Sequence, residues 1–328
     1  MSVKRGVSLY SYQENFFLGK MNLEDCIAAV AKTGATGIEL IPEQNCAKEY
    51  RKPSPGFISQ WKEWMAKYNT ESVAIDIFND YKIYHNRNLT EKEEVDQFEG
   101  NMEFASKLGF KIARAMITTP IWIIERMIPI AEYYDVKFGV ELHAPYSLKD
   151  PAVQTLFELI DRTGTKHIGL IPDMSIFNKE VPRVQMDKYI RAGANPEIIG
   201  YICRAYKQRL PILEVNAKIL EMGAENIEVK ALQRAYFSQS DKPEWLVDCM
   251  DKIIHIHGKV YEMDENCVET SIDYESVLPV LIKGGYNGYI STEYEGQRFF
   301  HDQQMGDAEV DEVEQVRRHQ MLLKKLID

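Results

Sequence analysis

Four short apolar runs, all beyond residue 136, end in acidic or histidine residues. Carboxylate and imidazole groups brought together from such runs would bind a divalent cation. A set rich in oxygen suits Mn²⁺ or Mg²⁺, with Co²⁺ or Zn²⁺ as alternatives. An ion held in this way polarises a substrate oxygen and makes a neighbouring proton more acidic. The four segments are Val140–His143, Ile171–Asp173, His255–Lys259 and Ser291–Glu295.

Three of these segments carry two chemically useful residues that are two positions apart. Residues with this spacing point to the same face of a strand, so both members of a pair can face one site. We expect one member to bind the ion and the other to do acid–base chemistry or to pack. A single acid at a strand end is usually an ion-pair partner, but four successive runs with this ending favour a shared metal site. The pairs are Glu141 with His143, His255 with His257, and Glu293 with Glu295.

Short runs of β-branched residues alternate with amphipathic stretches from end to end, which is typical of βα units and a parallel sheet. Eight runs, each followed by a predicted helix, give the element count of a (β/α)8 TIM barrel in the α/β class. In that fold the carboxyl ends of the strands meet at one site, which would bring the four segments together. The predicted strands are Arg5–Tyr10, Gly37–Ile41, Ser72–Phe78, Lys111–Ile117, Lys137–Leu142, His167–Ile171, Ile253–His257 and Tyr289–Thr292.

The connection between the sixth and seventh runs is unusually long. It has about 80 residues, whereas a simple βαβ unit needs about 30. We therefore predict a helical insertion at about residues 181–244, with two or three extra helices. Its function is either assembly with a partner or packing against the barrel. No linker interrupts the chain, so we expect residues 1–328 to form a single domain.

Composition excludes several classes of partner. The chain has 328 residues, 45% of them hydrophobic, and a formal net charge of −11. This charge repels phosphate backbones, so nucleic acid is not an expected partner. We find neither a run of about 18 apolar residues that would span a membrane nor a signal peptide. The five cysteines lack CxxC spacing, and this scattered pattern is typical of free thiols. Together with the lack of a predicted signal peptide or membrane span, it leads us to expect a cytoplasmic protein.

The motifs VELH, IPDMS, HIHGK and STEYEG, in this order, resemble the sugar phosphate isomerase/epimerase family, the xylose-isomerase-like barrels. The resemblance covers essentially the whole chain. It implies one divalent metal bound by Glu141, Asp173, His257 and Glu293, because the second histidine of the H-x-H strand is the usual ligand in that family. The long insertion and the lack of the extra ligands of three-metal endonucleases argue against a role in DNA repair.

Two further segments, ELHAPYSLKDP and the stretch that begins EYEGQRFF, are similar to the large (alpha) subunits of bacterial C-glycoside deglycosidases. This resemblance implies a carbon–carbon lyase that cleaves 3-oxo C-glucosides through an enediolate and β-elimination, together with a small beta subunit in a hetero-oligomer. A ketose or keto-inositol isomerase, epimerase or dehydratase would use the same metal site. A non-enzymatic subunit is a third interpretation, against which the intact set of ligands argues.

Three more residues are predicted to take part in catalysis. His143 is the predicted general base, since a neutral imidazole suits proton abstraction near pH 7. Its alternative role is to orient a metal ligand. Lys259 and Arg298 closely follow ligand-bearing strands, and we predict that they contact sugar oxygens or a developing negative charge. The alternative for both is an ordinary surface position.

Overall fold

The computed structural model describes residues 3–237, 240–301 and 310–327. Eight parallel strands form one sheet in the order β6-β5-β4-β3-β2-β1-β8-β7. Isolated parallel bridges, Leu170 with Ile253 and Asp173 with His257, bring β6 next to β7 and close the barrel. The predicted (β/α)8 barrel is therefore confirmed. The strands are β1 (Lys4–Ser8), β2 (Gly37–Leu40), β3 (Glu71–Asp76), β4 (Ile112–Met116), β5 (Lys137–Leu142), β6 (Ile168–Pro172), β7 (Ile256–Val260) and β8 (Tyr289–Tyr294).

Helices surround the barrel and connect its strands. Among the described residues, none of them is long and apolar enough to cross a membrane. The α-helices are α1 (Gln13–Phe17), α2 (Leu23–Lys32), α3 (Pro42–Asn45), α4 (Pro55–Tyr68), α5 (Glu91–Leu108), α6 (Ile121–Tyr134), α7 (Pro151–Thr163), α8 (Arg183–Arg191), α9 (Pro196–Lys207), α10 (Ile212–Glu221), α11 (Asn226–Tyr236), α12 (Tyr274–Lys283) and α13 (Glu312–Ile327).

Local capping sets the ends of several helices. At the start of α5 the Thr90 side chain accepts a hydrogen bond from the Glu93 backbone N–H, and the Glu93 side chain accepts one from the Thr90 N–H. This reciprocal arrangement satisfies two of the N–H groups that a helix start leaves free. The same helix ends at Gly109, whose φ of 81° is a left-handed conformation that glycine adopts at little cost. The sequence thus sets the position of the helix that leads into β4.

The seventh strand and the last helix are two of the elements whose predicted boundaries differ from the structure. The seventh strand was predicted at Ile253–His257, but β7 runs from Ile256 to Val260 because it pairs with β8 in the register from Ile256–Ile290 to Val260–Tyr294. Sheet pairing, rather than the β-branched run, decides where this strand lies. The last amphipathic stretch, with acidic residues at its start and basic residues at its end, predicts a helix over roughly Asp307–Leu326. Residues 307–309 lie outside the described part of the chain, and α13 begins at Glu312.

Four helices, α8 to α11, lie between β6 and β7, one more than the largest number predicted. We call residues 183–236 the α8–α11 segment. Apart from Val184, which belongs to the main core, its buried apolar side chains form a cluster of their own. Buried inside this cluster are Ile198, Ile202, Val215, Ile219 and Leu232. This cluster is distinct from the main core, which packs the outer helices against the barrel. The single-domain organisation of residues 1–328 stays a prediction.

Candidate metal centre

The four predicted ligands lie together at the carboxyl end of the barrel. Glu141 is on β5, Asp173 directly follows β6, His257 is on β7 and Glu293 is on β8. All four are buried, and one potential ligand atom from each lies within 4.8 Å of the others. The Nδ1 atom of His257 is 2.7 Å from a Glu141 oxygen, 3.4 Å from a Glu293 oxygen and 4.0 Å from an Asp173 oxygen. The sequence therefore identified residues that the fold brings into one cluster.

This donor set fits one divalent cation. Hard cations bind oxygen at roughly 2.0–2.6 Å, so ligand atoms on opposite sides of an ion are about 4–5 Å apart. The spread of the four ligand atoms matches that size. The Oδ2 atom of Asp173 and the Nδ1 atom of His257 are buried and have no hydrogen-bond partner of suitable geometry in the described chain, although charged groups lie within ion-pair distance. Both features are expected of atoms directed at a shared ion.

A fourth acid, Glu39 on β2, supports the imidazole of His257. One Glu39 oxygen is hydrogen-bonded to Nε2 of His255 at 2.7 Å, and the other lies 2.9 Å from Nε2 of His257. All three side chains are fully buried. Because a carboxylate accepts hydrogen bonds, it favours the tautomer with hydrogen on Nε2 and a lone pair on Nδ1. Glu39 thus directs the metal-facing nitrogen of His257 toward the other ligands.

The cluster concentrates negative charge in a buried place. Burial raises the pKa of Asp173 to about 6, an increase that Lys259 opposes and Glu293 adds to. Burial also acts to raise the pKa of Glu141, but Arg114 and His257 outweigh it and hold that pKa at about 2. Ionised acids that are closely spaced and shielded from water create a potential that attracts a cation.

Lys259 lies inside this cluster rather than on the surface. Its Nζ atom is 2.6 Å from an oxygen of Glu293 and 3.2 Å from oxygens of both Asp173 and Glu295. Burial lowers the pKa of Lys259, but these three acids raise it well above its ordinary value, so the side chain is an ammonium. The structure therefore places a fixed positive charge against two of the predicted metal ligands.

His143 directly follows β5 and is half-buried. Its Nδ1 atom lies 2.6 Å from the carbonyl oxygen of Ala144. A carbonyl oxygen only accepts hydrogen bonds, so in the neutral ring Nδ1 carries the hydrogen and Nε2 carries the lone pair. The loop is tied to the metal centre, because the Ala144 N–H donates to Ser175 and the Ser175 N–H donates to Asp173. This arrangement suits the predicted role as a base.

Arg298 is in the 3-10 helix Gly296–Phe299, beyond the end of β8, and its side chain is half exposed. It donates a hydrogen bond to Oε1 of Glu295, whose other oxygen contacts Lys259. Within the described residues, Arg298 forms no ion pair with the four predicted ligands. Its side chain lines a neighbouring pocket instead.

A family model for the xylose isomerase-like TIM barrel matches residues 27–202, more than half of the chain. The chain belongs to this family. The crystal structure of the IOLI protein with a bound zinc atom is similar in fold to this chain. The two match with a TM-score of 0.59 at 15% sequence identity. That match covers 100% of this chain and 98% of the other. At this level of identity the likeness shows the fold alone.

Two relatives are more similar to this chain in sequence than the IOLI protein is. The C-glycoside deglycosidase alpha subunit of Arthrobacter globiformis is 28% identical over 334 residues, which cover 99% of this chain and 93% of the relative. The 3'-dehydrocarminate deglycosidase alpha subunit of a Microbacterium species is 28% identical over 310 residues, which cover 89% and 88% of the two chains. The similarity therefore extends over nearly the full length of both proteins.

One buried, positively charged side chain at the metal centre, that of Arg114, was not among the residues predicted to take part in catalysis. Arg114 on β4 has its Nε atom 3.0 Å from Asp76 and one terminal nitrogen 3.5 Å from Glu141. A second terminal nitrogen lies 3.9 Å from Glu293. Its only sequence signal is its position near the end of a strand, which many rim residues share. Arg114 partly balances the acids and contacts two predicted ligands, and on Glu293 it contacts the oxygen that Lys259 does not.

Proposed function

We propose that this protein is the large subunit of a metal-dependent C-glycoside deglycosidase that cleaves the C–C bond of 3-oxo C-glucosides. The observation that carries the proposal is the convergence of Glu141, Asp173, His257 and Glu293. The names of the relatives, which align with nearly the whole chain, support the choice of substrate class. We propose Mn²⁺ as the metal, because three of the four ligands offer oxygen.

The chemistry follows from the bond to be broken. A C–C glycosidic bond has no bridging oxygen to protonate, so the acid catalysis of ordinary glycosidases does not apply. A ketone at C3 makes the proton at C2 acidic, and its removal gives an enediolate of the sugar. The aglycone then leaves C1 by β-elimination, as the C1–C2 double bond forms and the leaving carbon takes up a proton. When bound, a divalent cation would supply Lewis-acid polarisation of the C3 carbonyl oxygen.

The side chains of this protein have separate roles in that sequence. The Nε2 atom of His143 accepts the C2 proton, because its Nδ1 is committed to Ala144. Lys259 holds Glu293 and Asp173 in place and adds a positive charge close to the developing enediolate. Arg298 lies farther out and contacts the part of the substrate that projects from the barrel.

The relatives are named alpha subunits, and we propose that this chain likewise assembles with a smaller beta subunit. An isomerase, epimerase or dehydratase of ketoses or keto-inositols would begin with the same proton abstraction. An isomerase or epimerase would then return the proton to carbon, whereas a dehydratase would expel a neighbouring hydroxyl group, which leaves as water with the proton. The two functions separate when the protein and Mn²⁺, with and without the smaller subunit, are given a 3-oxo C-glucoside or a free ketose. Release of free aglycone supports the deglycosidase, and interconversion of ketoses alone supports the isomerase.

The His143→Ala variant tests the assignment of the base. We expect it to bind one metal ion per chain like the wild type and to lose turnover by about 10²- to 10⁴-fold, the usual contribution of a general base. The exposed His85 provides the matched control, and His85→Ala should keep full activity. Unchanged turnover in His143→Ala would remove this residue from the mechanism.

A further inference from the structure

A cavity outside the metal centre lies among segments that follow the carboxyl ends of β6 and β8. It has a volume of about 520 Å³ and is formed by α8, α11 and the 3-10 helix Gly296–Phe299. That size suits a small organic molecule. Four cationic and two aromatic side chains dominate its walls: Lys188, Lys230, Arg234, Arg298, Tyr189 and Phe299.

The charge of this cavity is opposite to that of the whole chain. The protein carries a formal charge of −11, yet none of the residues that line the cavity is acidic. Arg234 donates a hydrogen bond to Gln185 at 3.2 Å and stacks near the Phe299 ring. In residues 3–237, 240–301 and 310–327, neither Lys188 nor Lys230 forms an ion pair with an acid. Two amines are thus available to an anionic ligand, which the local potential would attract.

A chain of charged side-chain contacts leads from the cavity to the metal centre. One oxygen of Glu295 is 3.2 Å from Nζ of Lys259, which contacts Glu293 and Asp173. The other oxygen of Glu295 accepts a hydrogen bond from Arg298, which lines the cavity. The segments that form the cavity follow β6 and β8, the strands that lead to these two ligands. Arg298 therefore belongs both to the wall of the cavity and to the chain of charged contacts that leads to the predicted metal ligands, so the two sites are neighbours.

We propose that this cavity binds the aglycone of the substrate, and that the aglycone is an aromatic ring system with a negatively charged oxygen, either a carboxylate or an ionised phenol. The inference rests on the proposed deglycosidase function. Tyr189, Ile227 and Phe299 offer apolar and aromatic surface to a planar ring. Lys188 and Lys230 offer charged donors to its oxygen, and such charge-assisted hydrogen bonds are stronger than neutral ones.

The test compares a negatively charged substrate with its neutral methyl ester. The full chain, with its metal and the smaller subunit where turnover needs it, is given a 3-oxo C-glucoside with a carboxylate on the aromatic aglycone, or the methyl ester of the same compound. We expect Lys188→Gln and Lys230→Gln each to raise KM for the carboxylate about tenfold and to leave kcat and the ester unaffected. Lys218→Gln on α10, outside the cavity, is the control for a lost charge. Equal KM changes for both substrates, or no change, would overturn the proposal.

A binding measurement keeps this inference separate from the proposed function. Calorimetric titration of the full chain with a free aromatic carboxylate should show binding that Lys230→Gln weakens about tenfold and Lys218→Gln leaves unchanged. If no substrate is turned over but this pattern is found, the proposed function fails and the anion site stands. If the wild type releases aglycone but binds the free acid and its methyl ester equally, the function stands and the cavity proposal fails.

Discussion

The metal centre buries charge, whereas the α8–α11 segment buries hydrocarbon. At the centre, the ammonium of Lys259 lies 2.6 Å from a Glu293 oxygen and 3.2 Å from an Asp173 oxygen. In the α8–α11 segment the buried cluster is apolar, with Ile202 and Val215 fully enclosed. A buried acid depends on a specific partner, while a buried methyl group depends only on close packing. The two regions should therefore respond to different changes, and each should tolerate damage to the other.

The largest expected effect comes from removing one metal ligand. Glu141→Gln keeps the shape of the side chain but removes its charge, so the metal should be lost from the purified protein. Lewis-acid polarisation contributes several kcal/mol to a transition state, and turnover should fall at least about thousandfold. Metal content by mass spectrometry and initial rates measure the two effects.

The exposed Glu132 on α6 provides the control, and Glu132→Gln should keep both metal and activity. In Glu141→Gln, amide hydrogen exchange in the α8–α11 segment should match that of the wild type. Faster exchange there would show that the two regions are coupled, contrary to the comparison.

The reverse experiment weakens the apolar cluster. Ile202→Ala removes buried hydrocarbon from the middle of α9 and should lower the free energy of unfolding by about 3 kcal/mol. Leu213→Ala on α10, where the side chain is 80% exposed, should cost less than about 0.5 kcal/mol. Urea denaturation measures both. Metal affinity should stay the same in both variants, and a large loss in Ile202→Ala would contradict the separation of the two regions.

Sequence reasoning succeeded where local pattern and fold topology act together. The short apolar run that precedes Glu141 predicts a strand, and in the barrel the carboxyl ends of all strands meet at one end. The cluster of four could therefore be predicted without coordinates. The ends of β7 could not, because Gly258 and Lys259 do not continue the apolar run, and pairing with β8 carries the strand through them.

The support for His257 was also beyond sequence reasoning. Glu39 and His255 are 216 positions apart along the chain. Their contact exists because the closed barrel places β2 and the residues that lead into β7, which are three strands apart in the sheet, around one interior. Each residue alone resembles any other polar group at a strand end. The cationic cavity was missed for a similar reason, since Lys188 and Arg298 come from separate connections and no local motif joins them.

Glu39→Gln tests how far the charged region depends on its supporting carboxylate. An amide offers one accepting oxygen to the two imidazoles where the carboxylate offers two, so His257 should be less well oriented. We expect metal affinity to fall about 10- to 100-fold, the usual effect of losing such a partner. Titration with Mn²⁺ measures it, and the exposed Glu103→Gln on α5 is the control. Unchanged affinity would show that the strand alone positions His257.

The smallest expected effect concerns the one acid that the α8–α11 segment does bury. Glu228 accepts hydrogen bonds from the backbone N–H groups of Asn195 at 2.7 Å and Glu225 at 2.9 Å. Burial acts to raise its pKa, but these bonds outweigh burial and lower the pKa below its ordinary value, opposite to the increase at Asp173.

Glu228→Gln should therefore destabilise the protein by about 1 kcal/mol at pH 7, since a neutral amide accepts these bonds less well. A carboxylate with a lowered pKa in the folded state stabilises the fold above its ordinary pKa, and this contribution is lost as the pH falls through the folded value. The difference between variant and wild type in urea denaturation should be constant from pH 7 to pH 5 and shrink toward pH 3. A difference that stays constant to pH 3 would mean that the shape of Glu228, rather than its charge, stabilises the α8–α11 segment. The segment would then have no stabilising buried charge, in contrast to the metal centre.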